Sequence, residues 1–228
     1  MTGTAHNSGV NAEREMIAQL RQLRIVPVIV IEDATSAPHL GRALIDGGLP
    51  CAEVTFRTAA ARDALARLAE ECPDLLAGAG TVLTPGQAAE ARAAGAKFIV
   101  APGLNPAVVD YCLEQGIPVF PGIATPSELE AALTRGLSVL KFFPAEPLGG
   151  LPYLKAISAP YGAVEFMPTG GISLANIESY LAFPKVVACG GSWIAPSDWI
   201  ARGEFERITA EVKKAVATVQ SKPGAART

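Results

Sequence analysis

The run LSVLKFFPAE, from Leu137 to Glu146, places a single lysine, Lys141, at the end of an apolar stretch just before a proline stops the strand. Poorly hydrated surroundings disfavour a charged ammonium and favour the neutral amine, the form that attacks a carbonyl to make a Schiff base. A lone lysine at a strand end is more often a side chain reaching out to water, so its surroundings decide. The run CAEVTFRT, from Cys51 to Thr58, supplies them. Side chains alternate along a strand, so Glu53, Thr55 and Arg57 share one face while Ala52, Val54 and Phe56 share the other. The apolar set has to meet covering helices. A carboxylate, a hydroxyl and a guanidinium are therefore sent inward, where packing alone would place Val, Ile or Leu. The same parity puts Phe143 on the face of Lys141. Together these residues suit an amine nucleophile (Lys141), an acid/base carboxylate (Glu53) and a guanidinium clamp for a substrate carboxylate (Arg57). The competing reading is a buried Glu53–Arg57 pair retained for packing.

Two glycine segments add a second function. PTGGIS, from Pro168 to Ser173, and CGGSW, from Cys189 to Trp193, each follow a short β-rich run. Backbone amides in such turns, with a helix N-terminus behind them, form a nest for an anion. One Gly-Gly pair is commonly just a turn. Two pairs, with the hydroxyls of Thr169 and Ser192 beside them, favour a phosphate.

The elements that must position these groups alternate regularly. Candidate strands span residues 25–31, 51–55, 75–79, 98–101, 118–120, 139–143, 164–167 and 186–189. Ala/Leu-rich helical stretches lie near 37–46, 59–71, 85–94, 106–115, 126–134, 151–157, 174–181 and 204–219. Eight strands separated by helices predict an α/β fold, a single-domain (β/α)8 TIM barrel, and a helix near 12–23 is expected to cover its bottom. An open doubly wound sheet would want a glycine-rich fingerprint after the first strand, and residues 31–35 contain no glycine. The fourth to seventh strands each run into a proline, at Pro102, Pro121, Pro144 and Pro168, spaced by 19, 23 and 24 residues, one βα unit apiece. In this architecture the strand C-termini carry the active face, and Lys141 lies on that side.

Composition narrows the function. Half of the 228 residues are hydrophobic, enough for a large core, and no linker divides the chain. Residues 12–220 are expected to form the barrel, with flexible tails at 1–11 and 221–228. A formal charge of -3 with scattered cations gives no footprint for nucleic acid or an anionic membrane. The longest apolar stretch, residues 25–31, is far short of the roughly 20 residues a bilayer span needs. The polar N-terminus lacks the apolar core of a signal peptide, so a cytoplasmic location is expected. Cys51, Cys72, Cys112 and Cys189 have no metal-ligand spacing and read as reduced structural thiols. His6 and His39, the only histidines, are not placed as strand-top metal ligands, so neither metal nor cofactor is expected.

At this point the residues carry a resemblance. EVTFRT from Glu53, GAGTV from Gly78, APGL from Ala101, PGI from Pro121, KFFPAE from Lys141, PTGGIS from Pro168 and GGSW from Gly190 together resemble the 2-keto-3-deoxy-6-phosphogluconate (KDPG) aldolase / 4-hydroxy-2-oxoglutarate (KHG) aldolase family, over about residues 25–207. The resemblance implies a metal-independent class I aldolase on a (β/α)8 barrel. It also implies a homotrimer, a place in the Entner-Doudoroff pathway and activity on 4-hydroxy-2-oxoglutarate. By motif it makes Lys141 the Schiff-base lysine and Glu53 the proton-transfer residue. Arg57 and Thr81 would hold the pyruvate carboxylate, Pro102, Phe143 and Thr169 would line the pocket, and Gly170, Gly171, Gly191 and Ser192 would bind phosphate. Relatives acting on 6-phosphogalactonate substrates differ at the second strand and after the lysine, so Phe56-Arg57 and the FFPAE run favour the gluconate branch. A non-catalytic phosphosugar-binding barrel and a phosphosugar isomerase remain as alternatives from other classes; neither predicts a pyruvate adduct.

Overall fold

Helix starts in this chain are fixed by a capping side chain followed by proline. Thr84 accepts from the amide of Gln87 ahead of Pro85, Asn105 accepts from Ala107 ahead of Pro106, and Thr125 forms a reciprocal capping box with Glu128 ahead of Pro126. Each cap satisfies amides that the first turn leaves without an intrahelical acceptor, and proline is tolerated there because its missing N–H is not needed.

The computed structural model describes residues 3–220. Its strands are β1 (Ile25–Ile29), β2 (Cys51–Thr55), β3 (Leu76–Gly80), β4 (Ile99–Val100), β5 (Val119–Phe120), β6 (Gly122–Ile123), β7 (Val139–Phe142), β8 (Glu165–Pro168) and β9 (Cys189–Gly191). Its helices are α1 (Gly3–Leu23), α2 (Ala37–Asp46), α3 (Ala61–Glu71), α4 (Pro85–Ala93), α5 (Pro106–Glu114), α6 (Pro126–Leu133), α7 (Gly150–Ser158), α8 (Ile177–Leu181), α9 (Ser197–Ala201) and α10 (Phe205–Gln220). All strand pairings are parallel. One curled sheet has the order β5-β4-β3-β2-β1-β9 and a second the order β6-β7-β8. The result is an α/β fold around a curled parallel sheet. Among the described residues, no helix is long and apolar enough to cross a membrane.

The fifth strand runs on past the expected residues 118–120 and is divided into β5 and β6. Residues 118–120 pair with β4, Pro121 carries no amide to continue the ladder, and its carbonyl and the residues after it pair with β7 instead. At the other edge, the bridge Phe166↔Val186 joins β8 to the segment that leads into β9, and Thr169↔Gly190 joins the residue after β8 to β9 itself. The last strand accordingly falls at Cys189–Gly191, later than the expected 186–189. The short helix α9 had no periodic signal at five residues. Helix α1 begins at Gly3, ahead of the expected residue 12. The stretch 221–228 expected as a tail lies outside the described residues.

Two buried clusters separate the faces of the strands. The larger holds Ala52, Val54, Leu140, Phe142 and Phe166, packed under the helices. The smaller lies inside the curl and holds Cys51, Phe98, Phe120, Val139 and Met167, closed from below by Met16 and Leu20 of α1. The alternation expected for β2 and β7 is therefore realised: odd-numbered residues point inward and even-numbered ones face the helices. Apolar side chains fill the lower interior, and the polar ones are left for the top.

Candidate active site

Glu53 on β2 and Lys141 on β7 are the charged side chains that this alternation drives into the interior. They are 1% and 5% exposed. Lys141 Nζ donates to Glu53 Oε1 at 3.3 Å, and it stands 5.2 Å from the centroid of the Phe143 ring. Of the residues expected to share a cavity, Lys141, Glu53 and Phe143 are thus together, and Arg57 is not among them. An ion pair this deep is a poor route to stability, because desolvation offsets most of the Coulomb attraction. An amine within proton-transfer distance of a carboxylate, both shielded from water, is what carbonyl-addition chemistry requires.

Glu53 has its position because Gly80 leaves room for it. Gly80 is the last residue of β3, paired opposite Thr55, and a Cβ there would stand only 2.6 Å from Glu53 Cγ and overlap its carboxylate. The GAGTV run had drawn attention to Thr81, yet Gly80 is the residue that seats the carboxylate. Next to it, Thr81 has φ 57°. A β-branched residue is strained in that left-handed region, which turns the chain sharply out of β3 at the active end.

Arg57 does not pair with Glu53. It is exposed just beyond the end of β2, and its Nε donates to Thr55 Oγ1 at 3.2 Å while Thr55 Oγ1 donates to the carbonyl of Ile29 at 2.8 Å. The buried Glu53–Arg57 pair is not formed. Instead the guanidinium is tethered at the rim. Pro102 follows β4, and its carbonyl presses so closely on Gly122 that a Cβ on that glycine would collide with it; Gly122 is in turn the register partner of Lys141. Pro102 therefore belongs to the loop packed beside the lysine strand.

The two glycine segments meet through the Thr169↔Gly190 bridge. Thr169, 6% exposed, packs where a Gly190 side chain would stand, and Trp193 covers the corresponding space above Gly191. Gly170 and Gly171 have φ of 100° and 80°, values that L side chains seldom adopt. Ser192, which follows Gly191, is exposed. Asn176, which had not been singled out, pins this turn by donating to the Gly171 carbonyl at 3.0 Å and accepting from the Ser173 amide at 2.9 Å. His39 is remote from all of this: it lies in α2 with its ring stacked on Phe205.

Comparison with known proteins fits this geometry. The family model described as KDPG and KHG aldolase matches residues 16–211. The 2-dehydro-3-deoxy-phosphogluconate aldolase of Treponema pallidum is 54% identical over 84% of this chain and 91% of its own length. A crystal structure of KDPG aldolase from Legionella pneumophila, with pyruvate captured at low pH as a covalent carbinolamine intermediate, superposes with TM-score 0.81 at 44% identity, covering 84% of this chain and 93% of that one. The Zymomonas mobilis 2-keto-3-deoxy-6-phosphogluconate aldolase solved with 3-phosphoglycerate gives TM-score 0.83 at 37% identity, over 93% and 98% of the two chains. With a matched region that contains both the Lys141–Glu53 pair and the paired glycine turns, the chain belongs to the KDPG and KHG aldolase family.

Proposed function

We propose that this protein is a metal-independent class I aldolase that cleaves 2-keto-3-deoxy-6-phosphogluconate to pyruvate and glyceraldehyde 3-phosphate, and that it also cleaves 4-hydroxy-2-oxoglutarate to pyruvate and glyoxylate. The observation that carries the proposal is the buried Lys141 amine 3.3 Å from the Glu53 carboxylate. The neutral amine adds to the C2 ketone, and loss of water from the carbinolamine leaves a protonated imine on Lys141. Glu53, through a water, takes the proton of the C4 hydroxyl. The C3–C4 bond breaks, its electron pair passes into the iminium to give an enamine, and the aldehyde product leaves. A proton returned to C3 and hydrolysis of the imine then release pyruvate and regenerate the lysine. The carbinolamine trapped in the Legionella relative supports this route.

The remaining side chains receive matching roles. Arg57 and Thr81 hold the pyruvate carboxylate at the rim, and Pro102, Phe143 and Thr169 wall the cavity. Gly170, Gly171, Gly191 and Ser192 receive the phosphate of the substrate, a reading supported by the 3-phosphoglycerate bound to the Zymomonas relative. The curled sheets close into an eight-position (β/α)8 barrel: the division at Pro121 and the β8–β9 bridges are supporting features. The chain acts as a homotrimer in the cytoplasm, with residues 12–220 as the catalytic domain.

A coupled assay on 2-keto-3-deoxy-6-phosphogluconate, 2-keto-3-deoxy-6-phosphogalactonate and 4-hydroxy-2-oxoglutarate tests the assignment. The gluconate substrate is expected to show the highest kcat/KM. A preference for the galactonate substrate, or no pyruvate from any of the three, overturns it.

A further inference from the structure

The segment that follows the lysine strand is fastened to the glycine turn more tightly than packing alone requires. Beyond β7, the amides of Ala145 and Glu146 donate to the carbonyls of Thr169 and Gly170 at 2.8 and 3.0 Å, extending the β7–β8 ladder into both loops. Glu146 is an exposed residue, yet its side chain turns inward. Its Cβ and Cγ lie 2.6 Å from where a Gly171 Cβ would be, so the stem forms the wall against which that glycine rests. Its carboxylate accepts from the phenol of Tyr180 on α8. Tyr180 is 1% exposed. Burial, and after it the neighbouring Glu146 carboxylate, push the Tyr180 phenol well above its ordinary range, so it stays protonated and remains a donor at neutral pH.

We propose that Glu146 is a positioning residue for the phosphate end of the substrate: anchored by Tyr180, its stem holds the Gly170–Gly171 turn in the shape that receives an anion. This rests on the reading of that turn as the phosphate site. Glu146 itself touches neither the phosphate nor the reacting atoms. Its carboxylate is turned toward Tyr180, which keeps a negative charge from facing the anion while leaving the methylenes as the wall. With Asn176 pinning the other side of the turn, the glycine amides are fixed from both flanks. A preformed nest binds better than one that must be ordered on binding. Losing the anchor is therefore felt in the affinity for phosphate and not in the chemistry at Lys141.

Steady-state kinetics of Glu146→Ala, Glu146→Gln, Tyr180→Phe and Ser192→Asp on the phosphorylated substrate and on unphosphorylated 4-hydroxy-2-oxoglutarate test this. Glu146→Ala and Tyr180→Phe should each raise KM for the phosphorylated substrate about tenfold with kcat and both constants for 4-hydroxy-2-oxoglutarate within about twofold of the parent. Glu146→Gln keeps the stem and an oxygen acceptor, so it should behave like the parent. Ser192→Asp reports on the phosphate site independently, through a KM that rises more for the phosphorylated substrate. If Ser192→Asp is selective while Glu146→Ala and Tyr180→Phe are not, the positioning role is wrong and the phosphate site stands. If Ser192→Asp is not selective, the phosphate reading fails and the positioning role goes with it. Losses of kcat on both substrates also overturn the proposal. Should Glu146→Ala fold poorly, Tyr180→Phe, which keeps the buried ring, decides alone.

Discussion

Lys141 Nζ and Glu53 Oε1 are 88 residues apart along the chain and 3.3 Å apart in space. Strand parity sends each inward from its own strand, and the curl of the sheets brings the two strands to face one another. The carboxylate lies within reach of the amine and of any group bound to it, which suits one acid/base group to bond cleavage after the imine has formed.

If Glu53 moves protons, removing its charge should spare the fold and the adduct but slow the reaction. Glu53→Gln is expected to form an imine with pyruvate while kcat for cleavage falls roughly 10²-fold or more, the usual scale for a lost acid/base group. Circular dichroism, adduct mass and turnover on one preparation check this. A variant that cleaves at the parent rate returns Glu53 to a packing role.

Gly80 offers a second route to the same carboxylate. Gly80→Ala puts a methyl group into the space filled by Glu53 Cγ and its carboxylate, so the side chain must swing away from Lys141. Overpacking of this kind costs about 1–3 kcal/mol of stability. The expected outcome is a lower Tm together with a fall in kcat, read by thermal unfolding and the cleavage assay. Unchanged kcat would mean that Glu53 keeps its function from another position.

The parity that located this pair was legible in the sequence because it is local. Two residues on one short strand share a face whatever the rest of the fold does, so Glu53, Thr55 and Lys141 could be sorted from the residues alone, and Phe143, one residue past β7, still keeps the side of Lys141. Arg57 marks the limit of that rule. It lies past the last residue of β2, where alternation no longer fixes direction, and it ends at the rim instead of inside. The seat that Gly80 provides, and the contact of Glu146 with Tyr180 and Gly171, join loops far apart in sequence and leave no periodic trace. Only the glycines and the FFPAE run hinted at them. The division of the fifth strand at Pro121 follows from a missing amide, but which neighbour each half pairs with depends on how the sheets curl.

The paired glycine turns predict a separation of substrates. Gly171→Val forces a β-branched side chain onto a residue with φ 80° and against the Glu146 stem, and Ser192→Asp adds a like charge where the substrate phosphate is proposed to bind. Both should raise KM for the phosphorylated substrate far more than for 4-hydroxy-2-oxoglutarate. Equal losses on the two substrates, with the fold intact, would deny these turns a dedicated phosphate role.

The cysteines are expected to be inert. Burial pushes the Cys112 thiol up to about 12 and also raises Cys51, Cys72 and Cys189, with the nearby Glu53 carboxylate adding to the rise at Cys51. All four are free and buried. Dithionitrobenzoate at pH 8 should label all four only after denaturation. Rapid labelling of the native protein with loss of activity would place a reactive thiol at the site.

The central claim is that Lys141 forms the imine. Sodium borohydride added to the protein with pyruvate should reduce that imine, and peptide mapping by mass spectrometry should find the adduct on the peptide containing Lys141, with cleavage activity lost in step. An adduct on Lys97, Lys155 or Lys185 instead, or none on any lysine while the enzyme still turns over, would contradict it.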